Sequence, residues 1–419
     1  MRSGSSQPSG ATLLTGPYLA RNRGLLAFLA VADALLSLAR SRDPVSIPRD
    51  PQRVLLALGG QLGDAVIATA ALQYLHDAIP TAAIGIVLPS WSRPVLDGDS
   101  RLRWIHTVDH WKPNRSGASS WTRWRRYRDT QRVAVREIRD VGYDVAVDLY
   151  GYFPNMATVL RRAAIPTRLG FTSGGFGPMY THSLPWTDDE RHVAERQVEL
   201  VRLLVPEAAP AHELRYALPR TPRQVATTER VTALLAAEGL ESGSYVAIHL
   251  GSGSEQREWP ARQWARVLAP LSQDGHRLVF TGRGEREAAS IATATRGLLR
   301  VTNLGDRLSW DDFVEVLRRA RLVITIETAA AHIAAATGTP CVAVWSRTTN
   351  PAHWGPLGSR VALVFGRVPG APHTGSPGAA ETRQHELPAN EVLHEARRML
   401  AATSRLRHPS TSEQAQVVL

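Results

Sequence analysis

Each half of the chain repeats one local pattern: a short apolar run, a glycine turn, then a segment with helical spacing. In the first half Arg53-Val54-Leu55-Leu56-Ala57-Leu58 runs into Gly59-Gly60-Gln61-Leu62-Gly63-Asp64. Beyond it Val66, Ile67, Ala70, Ala71, Tyr74, Leu75 and Ala78 mark one face of a helix. Such unbroken apolar strands need cover on both faces, which a parallel sheet between helices provides. Segments 84–88 and 143–149 read as two more strands, bounded by Gly, Pro or Asp. After a polar, proline-containing stretch at 206–224 the alternation restarts, with strands expected at 245–250, 278–281, 322–326 and 341–345. The pattern predicts an α/β chain of two domains.

The expected boundaries follow composition. Residues 1–51 form an extension: Ser/Gly/Pro-rich to about residue 20, an amphipathic helix over 24–40, and a proline-punctuated linker. Residues 52–220 and 221–368 are the two α/β domains, 369–402 a loop and closing helix (helical pattern at 390–400), and 403–419 a disordered tail. The apolar segment at 24–40 is shorter than the roughly 20 residues of a spanning helix and contains Asp33. It lies either on its own protein or on a membrane surface.

With 419 residues, 43% of them hydrophobic, there is material for two cores. Cys341 is the only cysteine, which excludes an intrachain disulfide and a cysteine-built metal site, and fits a reducing, cytoplasmic compartment. The net charge of +11 comes from arginine, Lys112 being the only lysine, and favours anionic partners: nucleic acid, lipid headgroups or phosphorylated small molecules.

Three loops carry candidate chemistry. The turn from Gly59 to Asp64 opens a helix, where glycines admit a ligand and the helix start favours negative charge; an Asp64-capped turn with no ligand has the same spacing. Its glycines lack the G-x-G-x-x-G form of a dinucleotide site. The loop His249-Leu250-Gly251-Ser252-Gly253-Ser254, with Arg257 before Pro260, offers amides and a guanidinium to a diphosphate, or is a surface loop with an exposed arginine. In Glu327-Thr328-Ala329-Ala330-Ala331-His332 a strand enters a small-residue helix whose first amides form another anion site. Between Arg101 and Arg139, Trp104, Trp111, Trp121, Trp124 and Tyr127 alternate with arginines, a mixture suited to an anionic glycan, a lipid surface, nucleic acid or a solvated helix face. No His/Cys/Asp grouping has metal-ligand spacing, so no metal is expected.

Taken in order, these motifs resemble the heptosyltransferase-type glycosyltransferases, family 9, over roughly residues 52–400. The likeness is carried by Leu62-Gly63-Asp64-Ala65-Val66, Arg168-Leu169-Gly170-Phe171, Tyr180-Thr181-His182, and His192 with Glu195-Arg196. In the second half it is carried by His249 through Trp259-Pro260, Thr281-Gly282 with Gly284-Glu285, Thr328 with Gly338-Thr339-Pro340, and Asn350-Pro351. The resemblance implies the GT-B fold, two Rossmann-like domains facing across a cleft. It implies an inverting, cofactor-free and metal-independent transfer of a sugar, a heptose by analogy, from an ADP-heptose-like donor to a saccharide or lipid-linked acceptor. It makes Asp64 the general base and puts Gly251, Ser252, Arg257, Glu327, Thr328, Ala329 and His332 on the donor. Gly63, Arg123 and Arg126 would meet the acceptor. Glu327-Thr328-Ala329 departs from the family's usual Asp-Thr-Gly. A cytoplasmic protein is expected, either free or peripherally associated with the inner face of the membrane, and nucleic acid is not expected as a partner. The competing readings are an NAD-dependent oxidoreductase and a non-catalytic basic protein that binds membrane or nucleic acid.

Overall fold

The computed structural model describes residues 18–20, 22–38, 45–186, 189–207, 214–219, 221–253, 257–345, 349–365 and 389–407. The first half runs α1 (Arg23–Leu38), β1 (Arg53–Ala57), α2 (Leu62–Ala78), β2 (Ala83–Leu88), β3 (Leu102–Thr107), α3 (Ser120–Val141), β4 (Val145–Asp148), α4 (Ala157–Arg162), β5 (Thr167–Phe171), β6 (His182–Leu184) and α5 (Val193–Arg202). The second half runs α6 (Gln224–Ala237), β7 (Tyr245–His249), α7 (Ala261–Gln273), β8 (Arg277–Thr281), α8 (Glu285–Ala294), β9 (Val301–Asn303), α9 (Trp310–Arg318), β10 (Leu322–Ile326), α10 (Ala329–Thr337), β11 (Cys341–Val344), α11 (Pro351–Trp354), β12 (Val361–Val364) and α12 (Ala389–Arg407).

Both sheets are six-stranded, with orders β3-β2-β1-β4-β5-β6 and β12-β11-β10-β7-β8-β9, and every pairing is parallel. Counted within its own half, each sheet has the doubly wound order 3-2-1-4-5-6. The chain reverses direction across the sheet between β1 and β4, and again between β7 and β10. A crevice opens at the carboxyl ends of the strands at each such point, and both main glycine loops lie there.

Strand β1 is buried from Val54 to Ala57, as its unbroken apolar run requires. In α2 every residue from Ala65 to Leu72 is buried, so this stretch of the helix has no solvent face, while its last turn, at His76 and Asp77, reaches water. It lies between its own sheet, α5, and α10 of the other half. Helix α10 is built almost wholly of Ala, and these small side chains let the two helices approach closely. A single apolar core consequently runs from Val54 and Leu72 through Ala330 and Ile333 to Cys341.

The basic-aromatic stretch between Arg101 and Arg139 is two elements. Leu102–Thr107 is the edge strand β3, and Ser120–Val141 is α3, capped by Ser119. Arg103 breaks up the apolar run of β3 and Arg101 precedes it, a charged pattern common at sheet edges. Helix α12 buries Ala389, Val392, Ala396, Met399 and Leu400. It reaches Arg407, past the expected tail start at Thr403, because no Gly or Pro interrupts it. The loop expected at 369–384 and residues 408–419 lie outside the described residues, as do residues 1–17. The helix expected at 24–40 is present as α1.

Candidate active site

Asp64 is the third residue of α2. Its carboxylate accepts a 2.5 Å bond from the Gln61 amide, part of a capping box that fixes the rotamer on a rigid helix start. A β-carbon at Gly60 would overlap that carboxylate, so a glycine is what leaves room for it. The Gly60 carbonyl is in turn held by the Trp91 indole at 3.2 Å and the Ser92 hydroxyl at 3.0 Å. Burial pushes the Asp64 carboxyl above its ordinary value. The Gln61 amide and the guanidinium groups of Arg257 and Arg115 pull in the opposite direction. The net result is a carboxyl whose proton affinity is higher than that of a surface carboxylate, while part of the residue still reaches solvent.

Across the cleft, the loop after β7 brings Arg257 to 3.4 Å from Glu327, which is buried and also accepts a 2.8 Å bond from the Thr349 hydroxyl. Thr328 caps α10, its hydroxyl oxygen accepting from the Ala330 amide at 3.1 Å, and the Ala331 amide turns to the Thr328 carbonyl. The helix start therefore offers the Ala329 amide and the Thr328 hydroxyl proton to an anion. Gly251 packs on Glu287, and buried Ser252 gives its carbonyl to the Arg286 guanidinium. Arg286 also pairs with Glu258 at 3.0 Å. Ser254, the last residue of the expected loop motif, lies outside the described residues.

The two sides meet at Gly63 and His332. A β-carbon at Gly63 would stand 3.3 Å from the His332 ring and 3.9 Å from the Ala329 α-carbon, so Gly63 sets how close α2 comes to α10. His332 is buried, and desolvation pushes its pKa down to about 3, so it is neutral at the interface. Its Nδ1 lies 3.2 Å from the Tyr216 hydroxyl. His192 caps α5 and gives a 2.8 Å bond to the Gly355 carbonyl of the other half, with its own pKa pushed down by burial to about 4. His332 thus belongs to a neutral polar knot between the halves, beside the open cleft.

The sequence profile of glycosyltransferase family 9 (heptosyltransferase) matches residues 132–378, more than half of the chain. The chain belongs to this family. Lipopolysaccharide heptosyltransferase 1 of Escherichia coli O18:K1:H7 is 23% identical over 339 residues, covering 76% of this chain and 92% of that protein. Lipooligosaccharide heptosyltransferase 2 of Haemophilus influenzae is 23% identical over 331 residues, with 72% and 85% covered. The solved structure of the Escherichia coli heptosyltransferase WaaC with ADP superposes with a TM-score of 0.64 at 18% identity, covering 83% of this chain and 99% of that one. A family 9 glycosyltransferase from Veillonella parvula gives 0.68 at 17% identity, with 84% and 98% covered. The fold is GT-B, and the protein is a glycosyltransferase. The oxidoreductase and non-catalytic readings are set aside.

In this glycosyltransferase the sequence had not singled out Arg115. It belongs to the 110–119 segment of the first half, yet its guanidinium lies where a β-carbon on Gly253 of the second half would be. Arg115 therefore spans the cleft, and Asp64, Tyr150, Arg257 and Arg286 all act on its charge. Its loop is tied down by Gln61, whose amide group donates to the Pro113 carbonyl at 3.0 Å, and by Arg123, which donates to the Asn114 carbonyl at 3.0 Å. Among so many arginines, nothing in the spacing distinguished this one. Arg126 sits on the rim, bonded at 2.5 Å to buried Asp109 and at 3.1 Å to the Ser90 hydroxyl. Among the described residues no three His, Cys, Asp or Glu side chains group as metal ligands, and no helix is long and apolar enough to cross a membrane.

Proposed function

We propose that the protein transfers a heptose from ADP-heptose to a lipid-linked saccharide of the lipopolysaccharide core type, with inversion at the anomeric carbon and without a metal ion. The observation that carries this reading is the convergence of Arg257 and Arg115 on the side of the cleft facing Asp64. The acceptor hydroxyl oxygen attacks the anomeric carbon as its proton passes to an Asp64 carboxylate oxygen. The bond from that carbon to the diphosphate breaks, its electron pair leaving with the diphosphate. Arg257, Arg115, the Ala329 amide and the Thr328 hydroxyl neutralise the departing charge, the part a divalent cation plays elsewhere. A raised carboxyl suits the base, because proton transfer is most effective when base and working pH are close.

On the donor side Gly251 and Ser252 line the loop, Glu327 orients Arg257, and His332 fixes the distance between the halves. On the acceptor side Gly63 lies beside Asp64, Arg126 offers a rim cation, and Arg123 positions the Arg115 loop. The names of the two relatives, a lipopolysaccharide and a lipooligosaccharide heptosyltransferase, support the sugar and acceptor classes, and the ADP bound by WaaC supports the donor nucleotide; work at the cytoplasmic face of a membrane is part of the same proposal.

Incubation with ADP-heptose and lipopolysaccharide from a heptose-deficient strain, with and without chelator, tests the reading. ADP release matched by one added heptose, unaffected by chelator, is expected. ADP release that stops with chelator and returns with magnesium overturns the metal-free mechanism. Transfer only from a uridine or guanosine diphosphate sugar overturns the donor.

A further inference from the structure

Helix α1 is apolar on two opposite sides. Its inner side packs on the first domain: Leu29 is fully buried against Gly175, and Asp33 is held by the Tyr18 hydroxyl at 3.0 Å. Its outer side exposes Phe28 (54%), Val31 (61%), Leu35 (63%) and Leu38 (85%), spaced as one stripe along the helix. A run of large apolar side chains this exposed is uncommon on a soluble surface unless something covers it.

The surroundings indicate what does. Helix α1 touches residues 177–179, and Met179 lines a shallow hollow of about 360 Å3 with Arg139, Arg161 and Arg162. A neighbouring hollow of about 300 Å3 shares Arg162 and adds Trp124, Arg128 and Arg132. Helix α3, which supplies four of these residues, carries seven arginines against three acidic residues. In the other direction, Phe28 meets the Phe176 ring at 6.3 Å, Phe176 meets Phe153 at 6.2 Å, and Phe153 meets His110 at 6.0 Å. His110 begins the loop that carries Arg115 to the cleft. Apolar surface therefore runs from α1 to the mouth of the active site, with arginines along its flank.

We propose that the α1 stripe with the adjoining arginines of α3 and α4 is a docking face for an anionic phospholipid bilayer. This deepens the lipid-linked acceptor reading, on which its purpose rests. The stripe enters the headgroup boundary and the guanidinium groups meet lipid phosphates, the composition by which interfacial helices bind. A nucleic acid would satisfy the arginines and leave Phe28, Val31, Leu35 and Leu38 in water. Docked in this way, the first domain presents the cleft mouth to the bilayer surface, where a lipid-linked acceptor is held.

Vesicle flotation of the full chain, without donor or acceptor, tests the face independently of the reaction. The protein is expected to float with phosphatidylglycerol-containing vesicles and to stay down with phosphatidylcholine alone; failure to float with the former overturns the proposal. Replacing Val31, Leu35 and Leu38 together by Gln, which keeps helix propensity and leaves Phe28 on Phe176, should cut the bound fraction at least about tenfold with an unchanged melting temperature. Undiminished binding by that folded variant overturns the stripe. Arg139, Arg161 and Arg162 replaced by Gln should erase the preference for anionic vesicles, and a preserved preference overturns their part. A parent that sediments as a dimer, with the Gln variant monomeric, gives the stripe to a second copy and overturns the lipid assignment. Binding to duplex DNA with none to vesicles overturns it in favour of nucleic acid. Flotation as expected with no transfer from ADP-heptose in solution leaves the docking face standing and removes the proposed reaction.

Discussion

The two halves share one strand order and are equipped differently where it matters. From β1 to α2 the chain takes four residues, 58–61, and arrives at Asp64 within the first turn. From β7 to α7 it takes eleven, 250–260, and Arg257 lies within them. The short turn holds a carboxylate rigidly, as a group taking a proton in flight requires. The long loop leaves amides and a guanidinium around space that suits a diphosphate. The fourth strand of each half also leads to an acid, Asp148 as the last residue of β4 and Glu327 just after β10, with opposite use. Asp148 is fully buried and accepts from Met156, Tyr180 and Tyr150, all within its own half. Glu327 turns to Arg257 and the cleft. On the proposed reading, one topology yields a proton site and a phosphate site according to loop length and the direction each acid faces.

The sharpest way to break this division of labour is Asp64→Asn. Turnover should fall by about 10²–10⁴-fold with donor affinity nearly unchanged, measured by steady-state kinetics and calorimetry. Comparable losses in both would place Asp64 in donor binding and dissolve the contrast. Arg257→Ala comes next: charge-assisted bonds are worth about 1.5–3 kcal/mol, so nucleoside diphosphate affinity should drop about ten- to hundredfold. Binding of the nucleoside alone should hold. Equal losses would deny the long loop its phosphate role.

Arg115→Ala has a smaller and more diagnostic effect. Asp64 must be ionised to act, so activity is lost as pH falls through a pKa that burial has raised. Arg115 lowers that pKa, and removing it should move the acid limb of the pH–rate profile to higher pH. Because Arg115 is exposed, solvent screens its charge and the move should be modest. An acid limb that stays in place, or moves down, would show that the first half's base does not feel this arginine.

Much of this was legible in the residues. The apolar runs of β1 and β7 pointed to the parallel sheets, because buried parallel strands restrict residue choice, and the glycine turns after them singled out Asp64 and Arg257 as candidates whose proposed roles rest on the family resemblance. The edge strand β3 escaped notice because Arg103 and His106 interrupt its apolar pattern. Arg115 and the knot of His192, Tyr216, His332 and Gly355 were hidden for another reason: each depends on which distant loop is brought alongside, and spacing along the chain does not record that. The family resemblance puts His332 on the donor, while its place one turn into α10 fits a structural histidine equally; a neighbour across the halves, Gly63, could not be read from spacing.

An effect on stability rather than on turnover belongs to the acid that the first half keeps to itself. Burial pushes Asp148 up to about 7 from an ordinary 3.8, against three hydrogen bonds that favour its charged form. The folded chain therefore keeps a proton between those values that the unfolded chain releases. Its contribution to stability is full below 3.8 and is lost as pH rises through about 7. Melting temperature followed from pH 4 to 8 should carry a declining component that Asp148→Asn removes. The Glu327→Gln variant should leave that component intact, since Glu327 belongs to the other half and faces the cleft. If the decline survives in Asp148→Asn, another group produces it, and the buried acid of the first half is then no different in kind from its counterpart across the cleft.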